Sequence, residues 1–73
     1  MNLSEQHAGF KGIVDSISIL SKTTKNKLFS LGILPNTEIE IIRKAPLGDP
    51  LQVRVRGSDF AISKSIAEQI QIK

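Results

Sequence analysis

The fold is decided by residues 31–57, which read LGILPNTEIEIIRKAPLGDPLQVRVRG. Polar and apolar residues alternate in two parts of this stretch, over most of residues 38–43 and throughout residues 51–56. A period of two is typical of a β-strand that buries one face and exposes the other. Two prolines and a glycine separate these parts at residues 45–50. The stretch therefore predicts two strands joined by a stiff loop.

A short helix is predicted just before these strands, over residues 22–31. Leu28 and Leu31 follow the spacing of one helical face and are expected to pack on the sheet. Gly32 suits the left-handed position that ends many helices, where Ile33 would contact Leu28 in a Schellman motif. The sequence thus marks the end of this helix clearly.

Capping and turn signals lie on both sides of the helix. Ser21 and Thr23 are alternative N-cap residues, because either hydroxyl can accept a hydrogen bond from a free N–H group of the first turn. After the helix, Pro35 presets φ for the second position of a type II turn, and Asn36 tolerates the positive φ of the third. The chain is therefore expected to reverse direction here.

The remaining segments predict further short strands. Residues 9–20 are rich in β-branched residues and form the first strand, and residues 57–59 form a turn. Residues 60–63 form a short strand, residues 64–69 a single helical turn, and residues 70–72 a last strand. This order predicts a mainly β fold: a small closed or nearly closed barrel of five to six short strands, with one short α-helix inserted after the first strand.

Length and composition limit the chain to one domain. It has 73 residues, of which 40% are hydrophobic, so its core is small. Residues 1–8 are expected to form a flexible N-terminal arm and residues 9–73 the single folded domain. The absence of cysteine excludes disulfides and thiolate metal sites. Nothing resembles a signal peptide or a stretch of ~20 apolar residues, so a cytoplasmic location is expected.

Catalytic and metal-binding chemistry has little support in the sequence. The only histidine is His7, which falls in the expected arm, where nothing would orient it. One histidine and seven scattered carboxylates do not make an obvious metal site. Glu38 and Glu40 share one strand face and are interpreted as a solvated surface. We expect no enzymatic activity, no cofactor and no tight metal site.

Nucleic-acid binding is the alternative that the charge leaves open. The formal net charge is +3, and five basic residues could form a patch against phosphate: Arg43, Lys44, Arg54, Arg56 and Lys64. The three aromatic residues are phenylalanines among apolar neighbours, which favours core positions over base stacking. Charges on strands also discourage aggregation at sheet edges. Weak, non-specific binding is therefore expected, and no specific nucleic acid.

Residues 31–57 also carry a family resemblance. The helix end at Leu31 and Gly32, the turn, the alternating strand, the APLGDP loop of residues 45–50 and the arginine-rich strand together resemble the FeoA family, and the likeness extends from residue 9 to residue 72. Asn36 stands where relatives usually have glycine. Ser58 and Ser63 stand where relatives often have an aromatic and a basic residue.

This resemblance implies both a fold and a partner. It implies an SH3-like barrel with an inserted helix, in a cytosolic accessory protein of bacterial ferrous-iron uptake. The expected partner is FeoB, a membrane permease with a cytosolic GTPase domain, with weak self-association as a further possibility and no insertion into the membrane. The barrel is also similar to the C-terminal domain of metalloregulators of the diphtheria-toxin-repressor type. That similarity gives an alternative role, as an interaction domain in metal-dependent transcription.

The loop of residues 45–50 is the main candidate for docking on a partner. Its prolines stiffen it, and Leu47 stands at its tip, either as an exposed anchor or folded back over the open end of the barrel. The helix face around Lys25 is a second candidate. The partner-binding candidates are Leu47, Gly48, Asp49, Pro50, Lys25, Arg54 and Arg56.

Overall fold

A computed structural model describes residues 1–17 and 21–73. Five strands form one antiparallel sheet in the order β4-β3-β2-β1-β5. The elements are β1 (Lys11–Ser16), α1 (Lys22–Ser30), β2 (Glu38–Lys44), β3 (Leu51–Val55), β4 (Ser58–Ile62), α2 (Lys64–Ala67) and β5 (Gln71–Ile72). The predicted mainly β architecture with one substantial helix after the first strand is confirmed.

The inward faces of β2 and β3 supply the centre of the core. Ile39 and Ile41 of β2 and Leu51 and Val53 of β3 are fully buried, and Ile41 lies opposite Val53. The alternation in the sequence is therefore the alternation of the two sheet faces. The whole core consists of Leu3, Val14, Ile17, Leu28, Ile33, Ile39, Ile41, Leu51, Val53, Val55, Ile62, Ala67, Ile70 and Ile72.

A bulge interrupts the pairing of β2 with β3. Ile41 lies opposite Val53, but Arg43, two residues further on, lies opposite Gln52. The extra residue is Ile42, and it reverses the faces of the residues that follow. Arg43 therefore lies on the outer face, although simple alternation would have placed it inward with Ile41.

Both ends of helix α1 carry the capping hydrogen bonds that the sequence predicts. The Ser21 hydroxyl oxygen accepts a hydrogen bond from the Thr24 N–H group at 3.3 Å, which selects Ser21 as the N-cap. At the other end Gly32 has φ +91°, and the Ile33 N–H group donates to the Leu28 carbonyl oxygen at 3.0 Å. This is the hydrogen bond of a Schellman motif.

Of the two leucines predicted to anchor α1, only one does so. Leu28 is 2% exposed, whereas Leu31 is 37% exposed. Leu31 is the C-cap residue and lies beyond the last helical turn. The helix therefore reaches the core mainly through Leu28, and the prediction that Leu31 also packs there was wrong.

Turn geometry confirms one prediction and corrects another. Asn36 has φ 69°, and the Thr37 N–H group donates to the Leu34 carbonyl oxygen at 3.1 Å, as a type II turn requires. The β3–β4 turn, however, consists of Arg56 and Gly57, with φ 52° and 81°. A two-residue turn with both φ values positive joins the strands of a hairpin. The strand predicted at residues 60–63 therefore begins earlier, at the residue after Gly57.

The ends of the first strand also differ from the prediction. The sequence predicts a strand over residues 9–20, and the structure forms β1 from Lys11–Ser16. Ile17 follows the strand and is buried. Residues 18–20 of the predicted strand lie outside the described residues.

The N-terminal segment differs most from expectation. The sequence predicts a flexible arm over residues 1–8, but the structure packs this segment on the sheet. Leu3 is fully buried, and its N–H group donates to the Ile70 carbonyl oxygen at 2.9 Å. The Lys44 ammonium group donates to two backbone carbonyl oxygens of the segment at 2.9 and 3.0 Å. Leu3, these hydrogen bonds and the bridge between Asn2 and Gln71 hold the segment against the sheet.

The burial of Leu28 gives a direct stability test. Leu28→Ala should lower the free energy of unfolding by ~2–5 kcal/mol, because it removes a buried side chain and leaves a cavity. The matched control is Leu47→Ala, the same substitution at a leucine that is 96% exposed; its effect should lie within about 0.5 kcal/mol of zero. Urea unfolding followed by circular dichroism measures both. Equal losses would contradict this description of the core.

Candidate docking surface

The loop between β2 and β3 holds Leu47 out in solvent. A short 3₁₀ turn spans Pro46–Gly48, and the Gly48 N–H group donates to the Ala45 carbonyl oxygen at 2.8 Å. Leu47 has φ 69°, a conformation that is uncommon for residues other than glycine. Its side chain is 96% exposed, so the alternative in which it folds back over the barrel is wrong. The loop presents Leu47 as a projecting apolar side chain.

Asp49 fixes this loop to the second helix. Its Oδ1 atom accepts a hydrogen bond from the Lys64 N–H group at 3.0 Å, at the first residue of α2. That N–H group has no partner within the helix, so Asp49 satisfies a donor that would otherwise face water. Asp49 was predicted as a contact residue for a partner, and the structure gives it a supporting role as well.

A shallow groove of about 250 Å³ lies beside the loop on the outer face of the sheet. Its lining residues are Arg43, Ala45, Pro50, Gln52 and Ala61. Arg43 lies opposite Gln52 on the next strand, and Gln52 lies opposite Ala61 on the one after. Ala45, Pro50 and Ala61 are small, Gln52 is longer and half-buried, and Arg43 is exposed at the rim. Of these five, the sequence places Ala45 and Pro50 in the docking loop and names only Pro50 as a partner-binding candidate, because the groove as a whole depends on the bulge in β2.

Arg54 does not extend this surface as a free cation. Its Nε and Nη2 atoms donate to the two carboxylate oxygens of Asp59 at 2.6 and 2.9 Å. This hydrogen-bonded pair lowers the pKa of Asp59, and the nearby positive charge acts in the same direction. The hydrogen bond and the charge of Asp59 raise the pKa of Arg54. Arg54 therefore belongs to an ion pair between strands.

This ion pair is part of a row of alternating charges. Lys11 of β1 lies opposite Glu40 of β2, which lies opposite Arg54 of β3, which lies opposite Asp59 of β4. Opposite charges on neighbouring strands stabilise a sheet, and charged strand faces resist aggregation. The row supports the interpretation of these charges as a solvated sheet surface.

The predicted partner-binding residues do not form one surface. Residues 47–50 lie at the start of β3, whereas Arg56 lies past its other end, six residues beyond Pro50 and therefore roughly 20 Å away at the rise of an extended strand. Gly32, after the end of α1, lies beside Arg56: a Cβ atom there would be 3.8 Å from the Arg56 Cδ atom. The docking loop and the surface around α1 are therefore separate.

The described residues offer little for catalysis or metal binding. No group of three or more histidine, cysteine or carboxylate side chains converges within residues 1–17 and 21–73. His7 is exposed, and its Nδ1 atom lies 2.8 Å from the Ala8 carbonyl oxygen. Among the same residues, no helix is long and apolar enough to cross a membrane.

Comparison with known proteins agrees with this architecture. The FeoA domain family matches residues 1–73, the whole chain. The chain belongs to the FeoA family. This is a family of accessory proteins of ferrous-iron transport, and the membership confirms the resemblance carried by residues 31–57.

Solved structures show the same fold. The solution structure of FeoA from Chlorobium tepidum is 32% identical and has a TM-score of 0.91, with 99% of this chain and 68% of that chain covered. A zinc complex of Stenotrophomonas maltophilia FeoA is 29% identical, with a TM-score of 0.86 and coverage of 100% and 89%. That protein is described as a prokaryotic SH3 domain protein and a candidate activating factor of ferrous-iron transport. The predicted SH3-like fold class is confirmed.

The similarity to metalloregulators extends to the fold alone. A manganese-dependent transcriptional repressor has a TM-score of 0.88 at 17% identity, and the match covers 99% of this chain but 40% of the repressor. At this identity the likeness concerns backbone architecture. It confirms that a FeoA-type barrel and a domain of such repressors share one fold.

The Arg54–Asp59 pair predicts how stability depends on pH. Since the folded state lowers the pKa of Asp59, the pair stabilises the protein above the ordinary aspartate pKa of ~3.9 and loses this effect as the pH falls through the lower folded value. Asp59→Asn should therefore melt below the wild type at pH 7, and the difference should shrink below about pH 4. Thermal melts from pH 7 to pH 2 measure this.

The matched control for this experiment is Asp15→Asn. Asp15 is exposed on β1, and the one ion pair within residues 1–17 and 21–73 is Arg54–Asp59. Asp15→Asn should change the melting temperature little at any pH. A wild-type advantage over Asp59→Asn that persisted undiminished at pH 2 would contradict the assignment.

The arrangement of the basic residues predicts weak RNA binding. Of the five predicted patch residues, Lys44 holds the N-terminal segment and Arg54 pairs with Asp59, so the patch is not continuous. We expect a Kd no tighter than ~10⁻⁶ M at physiological salt, as for non-specific contacts. Gel shifts with several unrelated RNA sequences measure this. A tight, sequence-dependent shift that survives moderate salt would contradict it.

Proposed function

We propose that this protein is a cytoplasmic accessory of bacterial ferrous-iron uptake that acts by docking on the FeoB permease, and that it catalyses no reaction itself. Membership of the FeoA family supports the iron-transport context. The observation that carries the proposal is the exposure of Leu47, 96% of whose side chain is open to solvent on a loop held by internal hydrogen bonds.

An exposed leucine on a stiff loop is well suited to anchor a partner. Burying a leucine side chain in an apolar pocket contributes roughly 1.5–3 kcal/mol. A flexible loop would lose part of this contribution on ordering, but here Pro46, the Gly48–Ala45 hydrogen bond and the Asp49–Lys64 hydrogen bond already restrict the chain. Leu47 can therefore bind at a low entropic cost.

The groove beside the loop complements this anchor. At about 250 Å³ it is smaller than the usual pocket for a small-molecule ligand, and it is of a size for one side chain of a partner. Arg43 at its rim can pair with a carboxylate on the partner. Leu47 and the groove together offer a projection and a recess on adjacent parts of one surface.

Docking would regulate the permease through its conformational equilibrium. FeoB, as a permease with a GTPase domain, alternates between states, and a protein that binds one state more tightly shifts the population towards it. The accessory protein needs no catalytic residue for this effect. Its contribution is the difference between its affinities for the two states of the partner.

Leu47→Ser tests the docking loop. Its matched control is Leu31→Ser, which introduces the same side chain at a partly exposed leucine away from the loop. We expect Leu47→Ser to keep the wild-type melting temperature while co-purification with FeoB from detergent-solubilised membranes falls at least tenfold, the loss expected when an anchor side chain contributes ~1.4 kcal/mol or more. Growth under iron limitation should fall with it. Leu31→Ser should retain co-purification.

Two results would overturn the docking site. Unchanged co-purification and growth in Leu47→Ser would remove the loop from the interface, and a melting temperature well below wild type would show that Leu47 stabilises the fold. Asp49 is left unchanged in this design, because its substitution would remove the acceptor of the Lys64 N–H group.

A further inference from the structure

The sheet leaves one edge unpaired within the part of the chain that the structure describes. β4 is an outermost strand: it pairs with β3 on one side, and no strand within residues 1–17 and 21–73 pairs with its other side. The edge at β5 differs, because Asn2 forms a bridge with Gln71 there. The outer side of β4 is therefore a row of backbone groups that another strand can pair with.

The hairpin between β3 and β4 determines which backbone groups of β4 point outward. Its two-residue turn makes Val55 and Ser58 a hydrogen-bonded pair, and such pairs recur at every second residue, so Phe60 also exchanges hydrogen bonds with β3. The N–H and C=O groups of Asp59 and Ala61 therefore point away from β3. Neither residue makes a backbone hydrogen bond to any other segment of the described chain.

This edge lacks the features by which proteins usually prevent strand pairing. The common ones are proline, lysine and a bulge. The sequence of β4 is SDFAI, and it pairs with β3 in an unbroken register. Its one charged residue is Asp59, whose carboxylate is neutralised by Arg54. β4 can therefore accept a further strand without burying an unpaired charge.

We propose that β4 pairs with β4 of a second copy of this chain, antiparallel and about a two-fold axis at Phe60. The two residues whose backbone groups point outward, Asp59 and Ala61, lie one on each side of Phe60. A two-fold axis at Phe60 sets Asp59 of each copy opposite Ala61 of the other, so that these outward groups exchange hydrogen bonds. Moving the axis to Asp59 would oppose two carboxylates. Moving it to Ala61 would leave Asp59 beyond the end of the other strand.

The side chains of β4 fit the same register. Phe60 is half-buried against the core, and the axis places it directly opposite Phe60 of the second copy in a non-hydrogen-bonded pair, the type in which side chains approach most closely. Aromatic pairs between strands stabilise a sheet. On the other face Ala61 is small and exposed, which leaves room for the Asp59–Arg54 pair of the second copy. Both faces of the edge thus complement themselves, which favours a second copy over an unrelated strand.

The resulting dimer is weak and brings the two grooves to one side. Ala61 lines the groove on the outer face, and the pairing joins the outer faces of the two sheets, so both grooves lie on the same side of the joined sheet. We expect a Kd on the order of 10⁻⁴ M, because a contact of one short strand per copy falls below the size of a stable interface. Leu47 takes no part in this pairing, so the dimer and the docking loop can be tested separately.

Two substitutions of Ala61 with opposite charges test the register. Ala61→Glu sets a carboxylate opposite Asp59 of the second copy and should raise the Kd roughly tenfold, because the contact occurs twice about the axis. Ala61→Lys sets a cation there and should leave the Kd unchanged or lower it. General repulsion between copies predicts the reverse order, since Ala61→Glu lowers the net charge from +3 to +2 and Ala61→Lys raises it to +4. Sedimentation velocity at protein concentrations up to about 1 mM measures the Kd.

Ala61→Pro tests the backbone contact itself. It removes an outward N–H group that β3 does not use, so the melting temperature should change little while self-association is lost. The matched control is Ala8→Pro. Ala8 is exposed and is the second residue of a turn in which the Phe10 N–H group donates to the His7 carbonyl oxygen, a position that favours proline. This control should keep both the melting temperature and the self-association of the wild type.

Several results would overturn the proposal. A wild type that is monomeric at about 1 mM would exclude the dimer, and a Kd that is equal in the two charge variants, or in the reverse order, would exclude the register. A large fall in the melting temperature of Ala61→Pro would show that its N–H group is used within the fold. If the wild type stays monomeric and Ala61→Pro loses co-purification with FeoB, the edge binds a strand of the permease instead. Leu47→Ser should self-associate as the wild type does, which separates this proposal from the docking loop.

Discussion

The register between β2 and β3 is the constraint on which the rest of the structure depends. The pairing of Ile41 with Val53 commits both strands to bury one set of side chains, and a slip by one residue would expose that set to solvent. In a chain of 73 residues the core has little surplus, so this pairing cannot be replaced by contacts elsewhere. The loop, the groove and the row of charges all take their positions from it.

The bulge at Ile42 shapes the outer face of the sheet beside the docking loop. Before the bulge the outer residues of β2 are acidic; after it, Arg43 emerges beside Gln52 and Ala61 on the outer face. The same reversal turns Lys44 towards the N-terminal segment, where its ammonium group binds two carbonyl oxygens. Strand alternation puts Arg43 and Lys44 on opposite faces, and the inserted residue decides that Arg43 lines the groove while Lys44 holds the N-terminal segment.

The molecule distributes its charges unevenly between the sheet and the first helix. On the sheet they alternate and neutralise one another, as in the bidentate pair of Arg54 with Asp59. On α1 they are all positive and adjoin Phe29 and Leu31.

The sequence by itself determined the elements whose signals are local. Alternation predicted β2 and β3, Gly32 predicted the helix end, and Asn36 predicted the turn, because each depends on side-chain period or on backbone freedom within a few residues. The APLGDP loop marked the family.

Only the tertiary structure decided what depends on contacts between distant segments. Leu3 is buried because its segment packs against Ile70 and the end of β2, and no local sequence pattern indicates this packing. Arg54 is neutralised because β4 begins early enough to place Asp59 opposite it. The groove exists because a bulge moves Arg43 to the outer face. Long-range pairing fixes these positions, and a single sequence records such pairing only weakly.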